Sequence, residues 1–435
     1  MRVLARGPHA LDAVFARHGE VVRDWFPGVG RIVWLRDAEL IEQVARHPAT
    51  DFAEIARFLE PMIGAKALPR LQGEEHRQVR RHLVAGVRGA ALAGHEAAIT
   101  DSARRMVDTC PTGVPVRLLP LLEQAVLRAN IRTALTVSDD AAMEIWVDHF
   151  LRLRRTGNSI PSALHGAGVL PWYPPVHRRL RDCMALIRGE VRRRRGAGTS
   201  DDLLGRLLAA QGGHLTEESI CAQILAYLAG GQSSAFAAAW ALERAIRHPQ
   251  AWEAVNADQS TGQSDDTDAV IRESLRLRPP IPIMPWFLRS PCVLAGHRIP
   301  ARTWVMTSLW NLHRSPDLYP EPEAFRPERF LGARPPRQGW LPFGAGPHAC
   351  VAAQLSILQV KVLMHTLARS GGLRPDRPQD EGISSRAGLE ITPQRGCRVI
   401  LQPHSIAVGQ GRTAVAGSRA TRARRSPRPG PRSAP

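Results

Sequence analysis

The stretch from Trp340 to Ser356, WLPFGAGPHACVAAQLS, constrains what this chain can fold into more than any other. Gly344 and Gly346 flank a tight turn, where glycine permits positive φ and close approach of backbone to a flat ligand. His348 and Cys350 follow, and an apolar helical pattern starts just after the cysteine. A thiol at a helix N-terminus meets the positive end of the dipole and free N–H groups, which favour thiolate. Such a thiolate serves as a nucleophile or as a metal ligand. A nucleophile needs a base, and His348, two residues away on a tight turn, is badly placed to face it. Standing alone, the segment also reads as a buried cysteine on a glycine-rich turn.

The remainder of the 435-residue chain narrows the choice. Hydrophobic residues make up 44% and charged residues 23%, an ordinary globular balance that excludes a disordered, collagen-like or disulfide-scaffold protein. No apolar run reaches the roughly 18 to 20 residues of a transmembrane helix, and the first twenty residues lack a signal-peptide apolar region. The expectation is therefore a cytoplasmic, reduced protein without a membrane anchor. Cys110, Cys183, Cys221, Cys292 and Cys397 show no CxxC or zinc spacing and read as small buried hydrophobes. The net charge of +18 suggests an anionic partner at first sight. Yet only Lys66 and Lys361 are lysine, and the other 56 basic residues are arginine, which points to a GC-rich coding bias. Seven arginines and no acid lie after residue 404. No nucleic-acid-binding motif accompanies the charge, so nucleic acid is not expected as a partner.

Helical patterns dominate. Thr216 followed by Glu217 and Glu218 starts a long apolar stretch to about His248. A second helix is expected over 268–278, stopped by Pro279 and Pro280, and a third after Cys350. Arg192 to Arg195 read as a helix end, where positive charge suits the dipole. GRIVWLRD, RTWVMTSLW (302–310) and CRVILQP (397–403) read as strands, and 260–268 as a polar loop. The fold class is mainly α with a small β-sheet portion. The expected organisation is one domain over 1–404 and a basic, Arg/Pro-rich disordered tail over 405–435.

Two further segments agree with the cysteine loop in order and spacing. Phe343-x-x-Gly346-x-His348-x-Cys350 resembles the haem-binding loop of the cytochrome P450 family. Glu273-Ser274-Leu275-Arg276 fits its ExxR motif, whose i and i+3 residues share a helix face and can pair. FRPERF, 325–330, fits the downstream segment whose arginine, here Arg329, completes the ion network. The resemblance runs from about Gly19 to Gln402 and implies the P450 fold, in its soluble bacterial type.

The resemblance also implies roles. Cys350 becomes the axial thiolate ligand of the iron of haem b, with Phe343 screening the sulfur and Gly344 and Gly346 shaping the loop. His76 and Arg80, four residues apart in GEEHRQVRR, match propionate-binding positions, and His348 stands where arginine is more frequent. Trp286 stands near where the family usually carries another propionate-binding arginine. Arg289 could replace that arginine if the strand is shifted; otherwise Trp286 is a pocket wall. AYLAGGQSSA, 226–235, resembles the helix on the oxygen side of the haem. Gly230 and Gly231 each cost a helix about 1 kcal/mol against alanine. They fit an oxygen groove, or close packing against another helix. The family's acid and threonine are replaced by Gln232 and Ser233. Serine keeps a hydroxyl, whereas an amide cannot shuttle protons as a carboxyl does.

The implied activity is insertion of one oxygen atom from dioxygen into a lipophilic small molecule, in secondary, natural-product metabolism. Electrons would come from ferredoxin and ferredoxin reductase, docking near Arg77, Arg81 and Lys361. The apolar segments 58–70, 145–155 and 168–176, with Tyr227, Ala229, Ile283, Met284 and Trp286, would line the pocket, and scattered arginines suit a carboxylate or a carrier-protein tether. The alternative keeps the haem but uses peroxide, or desaturates or closes a ring. A non-catalytic binder is the reading from a different class, and it would survive loss of Cys350.

Overall fold

The computed structural model describes residues 11–402, apart from 27–29, 53, 55–58, 167, 169, 196–199, 211–214, 263, 295, 334, 337 and 387–389. The tail expected over 405–435 lies outside the described residues. The helices that build the site are α1 (Ala38–Arg46), α2 (Glu60–Ile63), α3 (Gly73–Gly86), α4 (Ala91–Asp108), α5 (Leu118–Leu135), α6 (Asp140–Gly157), α7 (Ile160–Gly166), α8 (Pro174–Arg195), α9 (Glu217–Gly230), α10 (Ser233–Ala245), α11 (Asp265–Leu277) and α12 (Ala353–Arg369). The strands are short. β1 (Val21–Phe26), β2 (Gly30–Leu35), β3 (Thr50–Asp51), β4 (Ile283–Leu288) and β5 (Thr303–Ser308) form one sheet in the order β1-β2-β5-β4-β3. A separate hairpin pairs β6 (Ile383–Arg386) with β7 (Glu390–Pro393).

Local chemistry explains the boundaries. Thr216 caps α9 by accepting the Ser219 N–H at 3.1 Å, and Asp139 caps α6 through the Ala142 N–H at 2.7 Å. Asp265, Asp266 and Asp268 occupy the first turn of α11, where the dipole favours negative charge, and α8 ends on Arg192–Arg195. One core layer packs α4, α5, α10 and α12 around Ile99, Leu122, Leu242 and Leu363. A second gathers α5, α6, α8 and α9 around Ile131, Phe150, Ile187 and Leu225. The third covers the sheet with α1.

Three expectations need correction. The apolar stretch after Thr216 is two helices, because the chain tightens at Gly231 and Gln232. There the Ser234 N–H reaches the Gly231 carbonyl, three residues back, at 3.3 Å. The polar segment 260–268 is mostly helical, since Thr261 ends the helix begun at Pro249 and Asp265 already opens α11. The helix after Cys350 starts only at Ala353, so the cysteine precedes its first turn.

Candidate active site

Cys350 and the broken helix α9–α10 face the same cavity, of about 2980 Å³. Phe343, Gly344, His348 and Cys350 line one side, and Gly230, Gly231, Ser233 and Ser234 another. The turn before the cysteine closes through the Cys350 N–H, which donates to the Phe343 carbonyl at 2.8 Å. Gly346 has φ +70°, and a Cβ there would lie 2.7 Å from the Ala45 carbonyl at the end of α1. Glycine is therefore required both by conformation and by space.

Of the six cysteines, only Cys350 is exposed, and its exposure is to the cavity. Burial of the surrounding protein pushes its thiol above the ordinary range. The Ala352 N–H, Arg80 and Arg88 pull the other way without prevailing. The helix-dipole expectation thus meets only part of the need, because α12 begins too late. A cation bonded to the sulfur would hold it as thiolate.

Beside the loop, the His348 ring stacks on Phe52 at 4.7 Å and lies 4.1 Å from the ring of His76. Burial and the charge of its neighbours push His348 down to about 3, and burial first, then Arg80, lowers His76. His76 is 3% exposed and its Nε2 has no partner. Arg80, half-buried on α3, makes no hydrogen bond or ion pair with the described residues. His76 and Arg80 do not themselves line the cavity, but they adjoin His348, which does. The site therefore gathers donors lacking an acceptor, an environment suited to an anion.

Gly230 and Gly231 divide the two roles proposed for the pair. A Cβ on Gly230 would meet nothing within 4 Å, so this residue opens the groove. A Cβ on Gly231 would strike the amide of Asn130 on α5 and lie 3.0 Å from the Tyr227 carbonyl, so this residue permits close packing. Ser233 lines the cavity, and its hydroxyl donates to the Gly230 carbonyl at 3.0 Å. Gln232, expected beside it, is buried, does not line the cavity, and has no partner for either amide atom. Adjacent positions around this turn point in different directions, so Ser233 facing the cavity sends Gln232 aside.

Below the cysteine loop, Glu273 and Arg276 on α11 are fully buried and pair through two bonds of 2.7 and 2.8 Å. Arg329 Nε reaches Glu273 Oε1 at 3.2 Å, and the Arg326 N–H donates to the same oxygen at 2.8 Å. Arg276 also donates to the carbonyls of His313, Pro322 and Ala324. Sequence reasoning missed His313. Its Nε2 accepts the Leu341 N–H at 2.9 Å, so Nδ1 carries the proton toward the Arg276 carbonyl at 3.2 Å. It also missed Asn130 and Gln359, bonded at 2.7 Å on the cavity wall.

Trp286 is neither a propionate donor nor a pocket wall. β4 pairs with β5 in regular register, Trp286 opposite Val305, which turns the indole into the core under the sheet. The same strand presents Ile283, Met284, Pro285 and Phe287 to the cavity. Arg289 is not a substitute, because it pairs with the buried carboxylate of Asp51.

The Cytochrome P450 family model matches residues 3–386. The chain belongs to the cytochrome P450 family. A Mycobacterium tuberculosis relative named "Putative cytochrome P450 137" is 28% identical over 92% of this chain and 87% of its own length. "Putative cytochrome P450 135B1" of Mycobacterium bovis is 28% identical over 91% and 88%, and "Putative cytochrome P450 138" of the same organism 27% over 86% and 87%. As a P450 the protein is a haem-thiolate monooxygenase. The residues present fit that cofactor. The cavity offers one cysteine thiol, and among the described residues no group of three or more His, Cys, Asp or Glu gathers to hold a metal. That donor set suits an iron that brings its own ring nitrogens. The orphaned His76 Nε2 and the unpaired Arg80 suit carboxylates on the ring edge. No helix among the described residues is long and apolar enough to cross a membrane.

Proposed function

We propose that residues 1–404 form one catalytic domain that inserts an oxygen atom from dioxygen into a lipophilic small molecule of natural-product metabolism, in the cytoplasm. The observation that carries this reading is the thiol of Cys350 in a cavity that Ser233 also lines. Cys350 would bind the iron of haem b. His76, Arg80 and His348 would receive its propionates, and Phe343, Gly344 and Gly346 would shape the cradle. Bound there, haem supplies a redox-active iron that takes up dioxygen and electrons. The chain itself orients the substrate, keeps water from the sulfur, and holds a proton at Ser233 Oγ. Gly230 leaves space beside that hydroxyl.

Electrons would arrive from ferredoxin and its reductase. Arg77 and Arg81 stand exposed on α3; Glu74 pairs with Arg77 at 2.7 Å and lies 4.0 Å from Arg81, so Arg81 offers most of the basic charge that an acidic partner needs. Lys361 contributes less, because Asp268 holds its ammonium at 2.7 Å. A second reading draws on Gln232, an amide at the sequence position of the family's usual acid and turned away from the cavity: use of peroxide, or desaturation or ring closure. A carrier-tethered substrate fits either reading.

The deciding experiment is the spectrum of protein made with ample haem, followed by titration with lipophilic metabolites. A Soret band lost or shifted in Cys350→Ser is expected, with a high-spin shift for one chemical class. Protein that binds no haem, or a Cys350→Ser variant with an unchanged spectrum, sinks the oxygenase reading. Faster turnover with hydrogen peroxide than with ferredoxin favours the second reading.

A further inference from the structure

The cavity wall carries a charged cluster that the oxygen chemistry does not use. Arg154, on α6, is 6% exposed. Its Nε donates to Glu123 Oε1 of α5 at 3.1 Å, and its Nη2 donates to Glu390 Oε2 of β7 at 2.9 Å. Asn158, just past α6, donates to the same Glu390 oxygen at 3.1 Å. The guanidinium also lies 4.4 Å above the ring of Phe236, one turn beyond Ser233 on α10. Two carboxylates thus share one guanidinium at contact distance.

The two carboxylates are not equivalent. Glu123 does not line the cavity, whereas Arg154, Asn158 and Glu390 all do. Both donors of the cluster fall on Glu390 Oε2, and no described residue bonds its Oε1. That oxygen is also not among the buried atoms lacking a partner, so it is open. Glu390 is therefore a carboxylate held by two bonds, with its other oxygen free on a cavity wall that Asp24, Glu54, Glu60 and Glu218 also line. A fixed acceptor of this kind discriminates strongly. A substrate that donates to it gains a charge-assisted bond, whereas one lacking the donor strips its water for nothing.

We propose that Glu390 determines specificity by accepting a hydrogen bond from the substrate, and that the substrate is a lipophilic molecule carrying a hydroxyl or a protonated nitrogen. This rests on the reading of the cavity as the oxygenase's substrate chamber. The shared chemistry is the donor, because a carboxylate oxygen accepts from a hydroxyl as well as from a protonated nitrogen.

The test uses holoenzyme and two hydrocarbon skeletons, dodecane and 5α-androstane, each with hydrogen, hydroxyl or ammonium at one end. Binding is read by equilibrium dialysis, which needs no haem signal, and the Soret band is recorded alongside. The expected result is a preference of roughly tenfold or more for a donor-bearing form, falling to near parity in Glu390→Gln. Glu123→Gln disturbs Arg154 similarly without touching the cavity, so it must keep the preference. Preference for ammonium alone assigns a charged partner, and equal preference for hydroxyl assigns a hydrogen bond. No preference in the wild type, a preference that survives Glu390→Gln, one lost equally in Glu123→Gln, or no binding of any form overturns the proposal. A missing Soret band overturns the oxygenase reading instead, and the dialysis still decides the role of Glu390.

Discussion

At the residue scale, position decides what a glycine or a histidine is worth. Gly230→Ala places a methyl in open space and should leave stability unchanged or raise it by up to about 1 kcal/mol, the helix propensity difference. Gly231→Ala drives the same methyl into Asn130 and should cost about 1–3 kcal/mol. Urea denaturation of the two variants checks the contrast, and equal midpoints would refute it. His313 predicts a pH dependence. Burial first, then Arg276 and Arg314, push its imidazole down to about 3. The folded state therefore refuses a proton that the unfolded chain takes near pH 6.5. Its contribution is complete above pH 6.5 and is lost as pH falls toward 3. At about 1.36 kcal/mol per pH unit, this is on the order of 5 kcal/mol. His313→Asn should be less stable at pH 7 and show a flatter decline between pH 6.5 and 3, read by denaturant midpoints across pH. The sequence showed Cys350, Glu273, Arg276 and Arg329 because local spacing marks them. It hid His313, Asn130 and Gln359, whose partners lie far along the chain and leave no periodic trace.

At the scale of elements, caps and charged ends were readable, and tertiary contacts were not. Thr216, the prolines after α11 and the arginines ending α8 act on their own helices, so their signals are local. The break between α9 and α10 is different. A long apolar stretch hides it, because Gly231 yields to Asn130 on another helix. The short strands β1 and β3 and the hairpin of β6 and β7 also went unread, since their pairing partners define them. The α11 network predicts a further outcome. Glu273 holds the guanidiniums of Arg276 and Arg329 and the Arg326 N–H. Glu273→Ala leaves the Arg276 charge buried without a carboxylate, which costs about 3–5 kcal/mol. Expressed protein should lack stable haem, measured as the Soret-to-280 nm ratio. A normal ratio would show that the segment carrying Arg326 and Arg329 holds without it.

At the scale of the whole molecule, much of the basic charge is paired on the surface or lies beyond residue 404, which is why net charge said little about partners. The exposed arginines of α3 make a narrower prediction. Charge reversal of Arg77 and Arg81 together should slow reduction by ferredoxin roughly tenfold at low salt, with the gap closing as salt rises. Stopped-flow reduction at two ionic strengths measures it, and a salt-independent effect would argue against steering. The pocket segments were foreseeable as regions. The sharing of Arg154 between Glu123 and Glu390 was not, because three separate elements meet there. The His313 bridge carries a last consequence. It ties Leu341, nine residues ahead of Cys350, to the end of α11 by bonds made wholly within the polypeptide. The scaffold that presents the sulfur is thus assembled without reference to the atom presented. A designer could exchange that one donor for another and retune the reactivity of the centre while leaving the architecture as it is.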